Sequence, residues 1–335
     1  MSSQVDLKPG AKVAVETCLA INANDRVIVF TDEPTQAIGQ ALFDVITDTG
    51  AEVVFKTLES IGSRPLLEVP DALWAFLDDY APTATFYAAS SQKGEIRFRI
   101  PLIETLREKY KVRHGHMIGI TPEIMATGMC ADYHRVAKRT HEVYEIVKNA
   151  REIRVTNPTG TDLTGRFDPT RLNWVIWDGF YQEPGKWGNL PEGETFTSPV
   201  EVDGVITASI MGDFFSKKYG LLSEPLRLEI KESHLISCTH PDKAMASEFW
   251  EFLDSVENGR RVGEFAVGTN EFLDRLIGNL LQDEKFPGVH VAFGNPYANY
   301  TGAKWDSPVH VDVVMEQTSV WVDGQQIMQD GKFIY

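Results

Sequence analysis

Near residue 150 the hydrophobic rhythm of this chain changes, and the change governs what can be built on either side of it. Before that point, short apolar runs alternate with helical periodicity. Residues 26–30 (Arg-Val-Ile-Val-Phe) form an apolar run suited to a strand buried on both faces. Residues 34–50 follow with Ile38, Leu42, Val45 and Ile46 at helical spacing and Gly50 as a stop. Residues 51–55 read as the next strand, a helix carries Trp74, Phe76 and Leu77, and 84–89 reads as a third strand. A helix over about 100–110, a strand over 112–118 and a connecting helix over 132–150 complete the series. Alternation of this kind predicts a mostly parallel sheet covered by helices.

After residue 150 the segments 152–166, 200–210, 226–230, 289–293, 309–315 and 320–333 read as strands. Asp323-Gly324 and Asp330-Gly331 are hairpin signals. Helices are expected only over 244–253 and 272–281. The expected architecture is therefore an α/β (Rossmann-like) domain over 1–145 and a β-rich α+β domain over 146–335. A length of 335 residues agrees, at roughly 100–200 residues per domain.

Composition narrows the function. Hydrophobic residues make up 43% and charged residues 24%, enough apolar material for real cores. With 48 acidic against 32 basic side chains the net charge is −16, which repels phosphate backbones and anionic lipid. Neither nucleic acid nor membrane is expected as a partner. Carboxylates are, however, what hard cations seek. Cys18, Cys130 and Cys238 form no CxxC and suggest neither a disulfide framework nor a zinc knuckle. No signal-peptide pattern opens the chain and no stretch approaches 18 apolar residues, so a soluble cytoplasmic protein is expected.

Several familiar motifs are missing. There is no GxGxxG and no GxxxxGK[ST] to cradle a pyrophosphate, and no GxSxG or HExxH. No cofactor other than metal is expected. Two histidine groups, His114 with His116 and His234 with Cys238 and His240, have ligand-like spacing, but eight histidines produce such groups by chance. Structural histidines are the expectation there.

A different set carries more chemistry. In Val309-His310-Val311-Asp312-Val313 an imidazole and a carboxylate share one face of an expected strand, with valines on the other. Charged groups on the inner face of a strand need a partner, and a metal is one. His290 is the one polar residue in the apolar run of residues 289–293, with Tyr297 seven positions on. Glu264 stands among apolar residues between glycines, and Glu194 lies in Asn189-Leu190-Pro191-Glu192-Gly193-Glu194-Thr195-Phe196. Singly, each of these is more ordinary as a surface or core residue.

Together, NLPEGETFTSP, GEFAVGTN, GVHVAFGNPY and SPVHVDVV resemble, in order and approximate spacing, the aminopeptidase T-type metallo-aminopeptidases of family M29. GTDLT at residues 160–164 resembles the same family's strand leading into its second domain. The resemblance is strong over 145–335 and weaker over 1–145. It implies that Glu194 is a metal-binding glutamate, that Glu264 bridges two metals, that His290 and His310 are imidazole ligands, that Asp312 is a carboxylate ligand, and that Tyr297 lines the site. It further implies a dinuclear hydrolase that removes N-terminal residues from a peptide or small amide, with Glu194, Glu264 and Tyr297 catalytic, two divalent ions (Zn, Co or Mn), and a homodimer. The chain is shorter than the usual member, with the difference expected in the first domain.

The residue chemistry is compatible with this. Three carboxylates and two imidazoles make a mixed N/O set suited to Zn, Co or Mn. Two such ions roughly 3.5–4 Å apart clamp a carbonyl oxygen and generate hydroxide near neutral pH. A second reading is a mononuclear Fe(II) ring-cleaving dioxygenase of the 2,5-dihydroxypyridine dioxygenase type. Those enzymes resemble the same fold and keep the His-x-Asp pair, but alter the bridging glutamate, whereas this chain retains both Glu194 and Glu264, which places this reading second. A third is a binding protein without catalysis. Two ions, one iron or none would separate the three.

Overall fold

The computed structural model describes residues 5–335. Contacts divide the chain into two units, Met1–His134 with Gly179–Glu192, and Arg135–Asp178 with Gly193–Tyr335. The contiguous boundary at 145/146 read from the sequence has no equivalent here, because a later segment returns to the first unit.

The first unit is built on a five-stranded parallel sheet. Its spatial order is Glu52–Thr57, Arg26–Thr31, Ala84–Ala88, Arg113–His116 and Trp187–Asn189. Val27, Ile28, Val29 and Phe30 are all fully buried, as a strand covered on both faces requires. Helices Gln36–Asp48, Asp71–Tyr80 and Ile96–Glu108 lie between the strands in sequence. Leu73, Leu77, Phe98, Leu102 and Leu106 from two of them join Ile28, Phe30 and Tyr87 in one core. His114 and His116 are buried in their strand. His114 Nδ1 lies 2.7 Å from Thr85 Oγ1, and its Nε2 lies 3.3 Å from His116 Nδ1. No carboxylate takes part in these contacts.

The second unit holds two antiparallel sheets. The larger runs His234–Thr239, Leu226–Lys231, Glu201–Ala208, Asp162–Arg166, Glu152–Thr156, Ser319–Val322, Gln325–Gln329 and Lys332–Phe333. The smaller runs Ile210–Met211, His310–Val314, Gly288–Gly294, Val262–Gly268, Glu194–Thr197 and Val175–Trp177. A single apolar core joins them: Ile153, Val155, Leu163, Ile206 and Leu228 from the first, with Phe265, Val267, Val291, Phe293, Val311 and Val313 from the second. Helix Lys243–Asp254 forms where the sequence predicts it, capped by Asp242, whose carboxylate accepts the Ala244 and Met245 N–H groups.

The helix expected over 272–281 does not form; helix is confined to Leu280–Asp283. Asp283 is buried and its carboxylate accepts the backbone N–H groups of Ile277, Gly278 and Asn279. These side-chain bonds compete with the helical ladder, and Gly278 at φ +80° lies outside it. Among the described residues no helix is long and apolar enough to cross a membrane.

Candidate metal centre

The smaller sheet of the second unit carries the candidate site, and strand register assembles it. Cross-strand partners in an antiparallel pair share a face, and alternate residues along a strand return to it. Asp312 pairs with Ala292 and Ala292 with Glu264; His290 pairs with Ala266; His310 pairs with Gly294; Glu194 pairs with Gly268. Glu194, Glu264, His290, His310 and Asp312 therefore project from one face. Between them stand Ala266, Gly268, Ala292 and Gly294, which leave the volume the charged side chains fill. The alternate residues Phe265, Val267, Val291, Phe293, Val311 and Val313 point the other way, into the core.

The convergence is close. His290 Nε2 lies 3.3 Å from Glu194 Oε2 and 3.4 Å from Glu264 Oε1. His310 Nε2 lies 3.8 Å from Glu264 Oε2 and 3.4 Å from Asp312 Oδ1. Ligand atoms of Glu264, His310 and Asp312 all fall within 4.8 Å of one another, a spacing that one ion can span. His290 and Glu194 flank this group. All five candidate ligands singled out in the sequence thus meet in one place, with Tyr297 packed against His310.

The turn after His290 fixes His310. Asn295 donates its N–H to Val309 O, accepts the Nδ1–H of His310 on its carbonyl at 2.9 Å, and accepts the Tyr297 N–H on Oδ1. With Nδ1 committed as donor to a carbonyl, Nε2 is the nitrogen turned toward the carboxylates, where it can bind a metal once its proton is released. Gly294 makes this approach feasible: at φ +97°, a Cβ there would lie 2.1 Å from Val309 O. Tyr297 takes a left-handed conformation (φ +49°) that brings its ring 4.5 Å from that of His310. With Phe196 and Trp177 it forms an aromatic wall, at centroid separations of 5.8 and 6.2 Å from Tyr297.

Burial and charge pull against each other. Burial raises the Glu264 carboxyl above the usual range. Burial acts the same way on Glu194 and Asp312, but neighbouring cations outweigh it and hold both below the usual range: Lys285 and His290 at Glu194, His310 and His290 at Asp312. Burial disfavours a charged His310, yet the carboxylates of Asp312 and Glu264 lift it to about 10. His290 is raised well above its ordinary value by Glu194 and Glu264 against the same penalty. The pocket is electron-rich and draws positive charge. Among the described residues Glu194 Oε2 is buried without a well-aligned hydrogen bond, despite the nearby His290. Hard anionic donors and an oriented imidazole together fit a divalent cation.

Two further residues belong to the site and were not singled out in the sequence. Lys285 is fully buried, its Nζ 2.7 Å from Glu194 Oε1 and 2.9 Å from Glu284 Oε1. Burial pushes the Glu284 carboxyl well up. Gln-Asp-Glu-Lys, at 282–285, reads as a solvated polar turn, so no local pattern marks it.

Comparison with known proteins agrees with the fold and divides on chemistry. The sequence profile of a family described as 2,5-dihydroxypyridine 5,6-dioxygenase (NicX) matches residues 116–261, which include Glu194 but none of the other four. No curated protein matches the sequence significantly. The structure is similar to that of 2,5-dihydroxypyridine dioxygenase from Pseudomonas putida KT2440, with TM-score 0.71, 15% identity, and 99% of this chain and 98% of that one covered. It is equally similar to wild-type AmpT from Thermus thermophilus, with TM-score 0.71, 17% identity, and 98% and 99% covered. Such coverage means that the shorter length expected from the sequence removes no whole domain. The chain has the fold shared by an M29 aminopeptidase and a dihydroxypyridine dioxygenase, and carries a candidate metal centre on its β-rich unit.

Proposed function

We propose that this chain is a single-metal, ring-cleaving dioxygenase acting on a dihydroxylated pyridine-type ring. The observation that carries the reading is the NicX family match, while the compact group of Glu264, His310 and Asp312 supplies the residues that would hold the ion. The NicX family match supports the oxygenase side of the fold. Two carboxylates neutralise a divalent ion, and three protein ligands leave coordination positions for substrate. When bound, a ferrous ion supplies the one-electron chemistry that lets dioxygen react with an aromatic ring.

The chain's own residues do the rest. Asn295 locks the His310 ring so that Nε2 faces the carboxylates. Tyr297 and Trp177, backed by the buried Phe196, offer faces and edges against which a planar ring packs. Burial and the nearby carboxylates hold the Tyr297 phenol well above its ordinary range, so at neutral pH it remains a hydrogen-bond donor. His290, against Glu194 and Glu264, is placed to hold a proton at Nε2 beside the ligand group, where it can donate a hydrogen bond to a substrate oxygen.

A second reading, the dinuclear aminopeptidase, is favoured by one observation: Glu194 and His290 adjoin the three-ligand group and would complete a second set. One assay separates the two. Protein loaded with Fe(II) is mixed with 2,5-dihydroxypyridine in an oxygen electrode, and protein loaded with Zn(II), Co(II) or Mn(II) is given an aminoacyl anilide. The proposal expects one dioxygen consumed per ring lost and no arylamine released. Anilide hydrolysis without oxygen uptake would overturn it in favour of the peptidase.

A further inference from the structure

Lys285 is the most conspicuous group in the site that ordinary metal ligation does not use. Its side chain is 0% exposed, and its ammonium bridges Glu194 and Glu284 at 2.7 and 2.9 Å. A buried ammonium is costly and persists only where carboxylates compensate it. The backbone is shaped to deliver it. A Cβ on Gly268 would lie 2.2 Å from Phe286 O and 2.9 Å from Glu284 O, so the 284–286 segment crosses directly over that glycine. Asn270 donates its N–H to Lys285 O, and Lys285 donates its own to Gln282 O. The ammonium also stands 5.9 Å from the centre of the Trp177 ring.

We propose that Lys285 is a built-in cation that takes the place of a second metal ion, so that Glu194 anchors an ammonium and the centre binds one divalent ion. This rests on the single-metal reading above and extends it to the residue that sets the count. Position argues for it. Metal on Glu194 would sit about 2.0–2.2 Å from a carboxylate oxygen, facing the ammonium across one carboxylate in a dry site.

The test is metal stoichiometry on the full chain, using Mn(II) alone as probe, with bound ions counted after dialysis and their coupling read by electron paramagnetic resonance. Wild type is expected to bind one Mn(II) with an uncoupled signal. Lys285→Met is expected to bind two, with the signature of an exchange-coupled pair, and Lys285→Arg to remain at one. Two coupled ions in the wild type would overturn the inference. One ion in the wild type and in a folded Lys285→Met protein would overturn it while leaving the single-metal reading intact. No ion in the wild type would sink that reading and the inference together. Should Lys285→Met fail to fold, Glu194→Gln decides. The inference expects its affinity for one Mn(II) to stay close to wild type. A loss beyond the 10–100-fold typical of residues outside the coordination sphere would make Glu194 a ligand and overturn it.

Discussion

Each side chain in the centre has a role that a single substitution can separate from the others. His310 presents Nε2 to two carboxylates, so His310→Ala is expected to weaken metal binding by about 100-fold or more, at or beyond the upper end of what outer residues cause. Tyr297 packs on the His310 ring without a donor atom among the ligand group. Tyr297→Phe should therefore keep its metal while turnover falls by about 10–100-fold. Calorimetric metal titration beside steady-state rates checks both, and equal metal loss in the two variants would contradict this division of roles. The residues that converge were legible in the sequence because each stands out against its surroundings: His290 in an apolar run, His310 and Asp312 alternating with valines, Glu264 between glycines. Lys285 was not. Its burial depends on a backbone crossing at Gly268, far from it in sequence, and a charged turn looks the same whether it faces solvent or a cluster of carboxylates.

At the scale of elements, parallel strands buried on both faces tolerate polar groups only when these stay neutral or paired. His114, on the Arg113–His116 strand, is fully buried and lowered from 6.5 to about 3, mainly by burial and further by Arg107. His116 beside it is lowered well below its ordinary value by burial, Arg99 and His114. In the unfolded chain these imidazoles protonate near 6.5. Above that pH neither state gains a proton and stability is intact. As pH falls from about 6.5 towards 3 the unfolded state binds protons that the folded state refuses, and stability declines. His114 alone is expected to remove about 2 kcal/mol between pH 7 and pH 5. Urea unfolding of wild type and His114→Asn at both pH values tests this: the variant should show the shallower loss, and identical slopes would contradict it. Most strands were readable from periodicity, since both the apolar runs and the alternating strands leave direct traces. The false helix over 272–281 shows the limit. Its apolar spacing is helical, but Asp283 captures three backbone donors that a helix would have needed.

At the scale of the whole chain, the change of rhythm near residue 150 separates a parallel α/β unit from an antiparallel β-rich one, and both are present. The interleaving of the units was not legible. Trp187–Asn189 is too short to announce itself as a strand, and it joins the first sheet through pairing with His114–His116, a contact made across more than seventy residues. The five candidate ligands, by contrast, all belong to the second unit, on strands that are neighbours in one sheet. The account's central claim is that this sheet holds one ion between Glu264, His310 and Asp312. Crystals of the Zn(II)-loaded protein, measured on both sides of the zinc absorption edge, address it directly. The expected result is one anomalous peak, about 2.0–2.2 Å from His310 Nε2 and from one oxygen each of Glu264 and Asp312. Two peaks about 3.5–4 Å apart, bridged by Glu264 and held by Glu194, would contradict it.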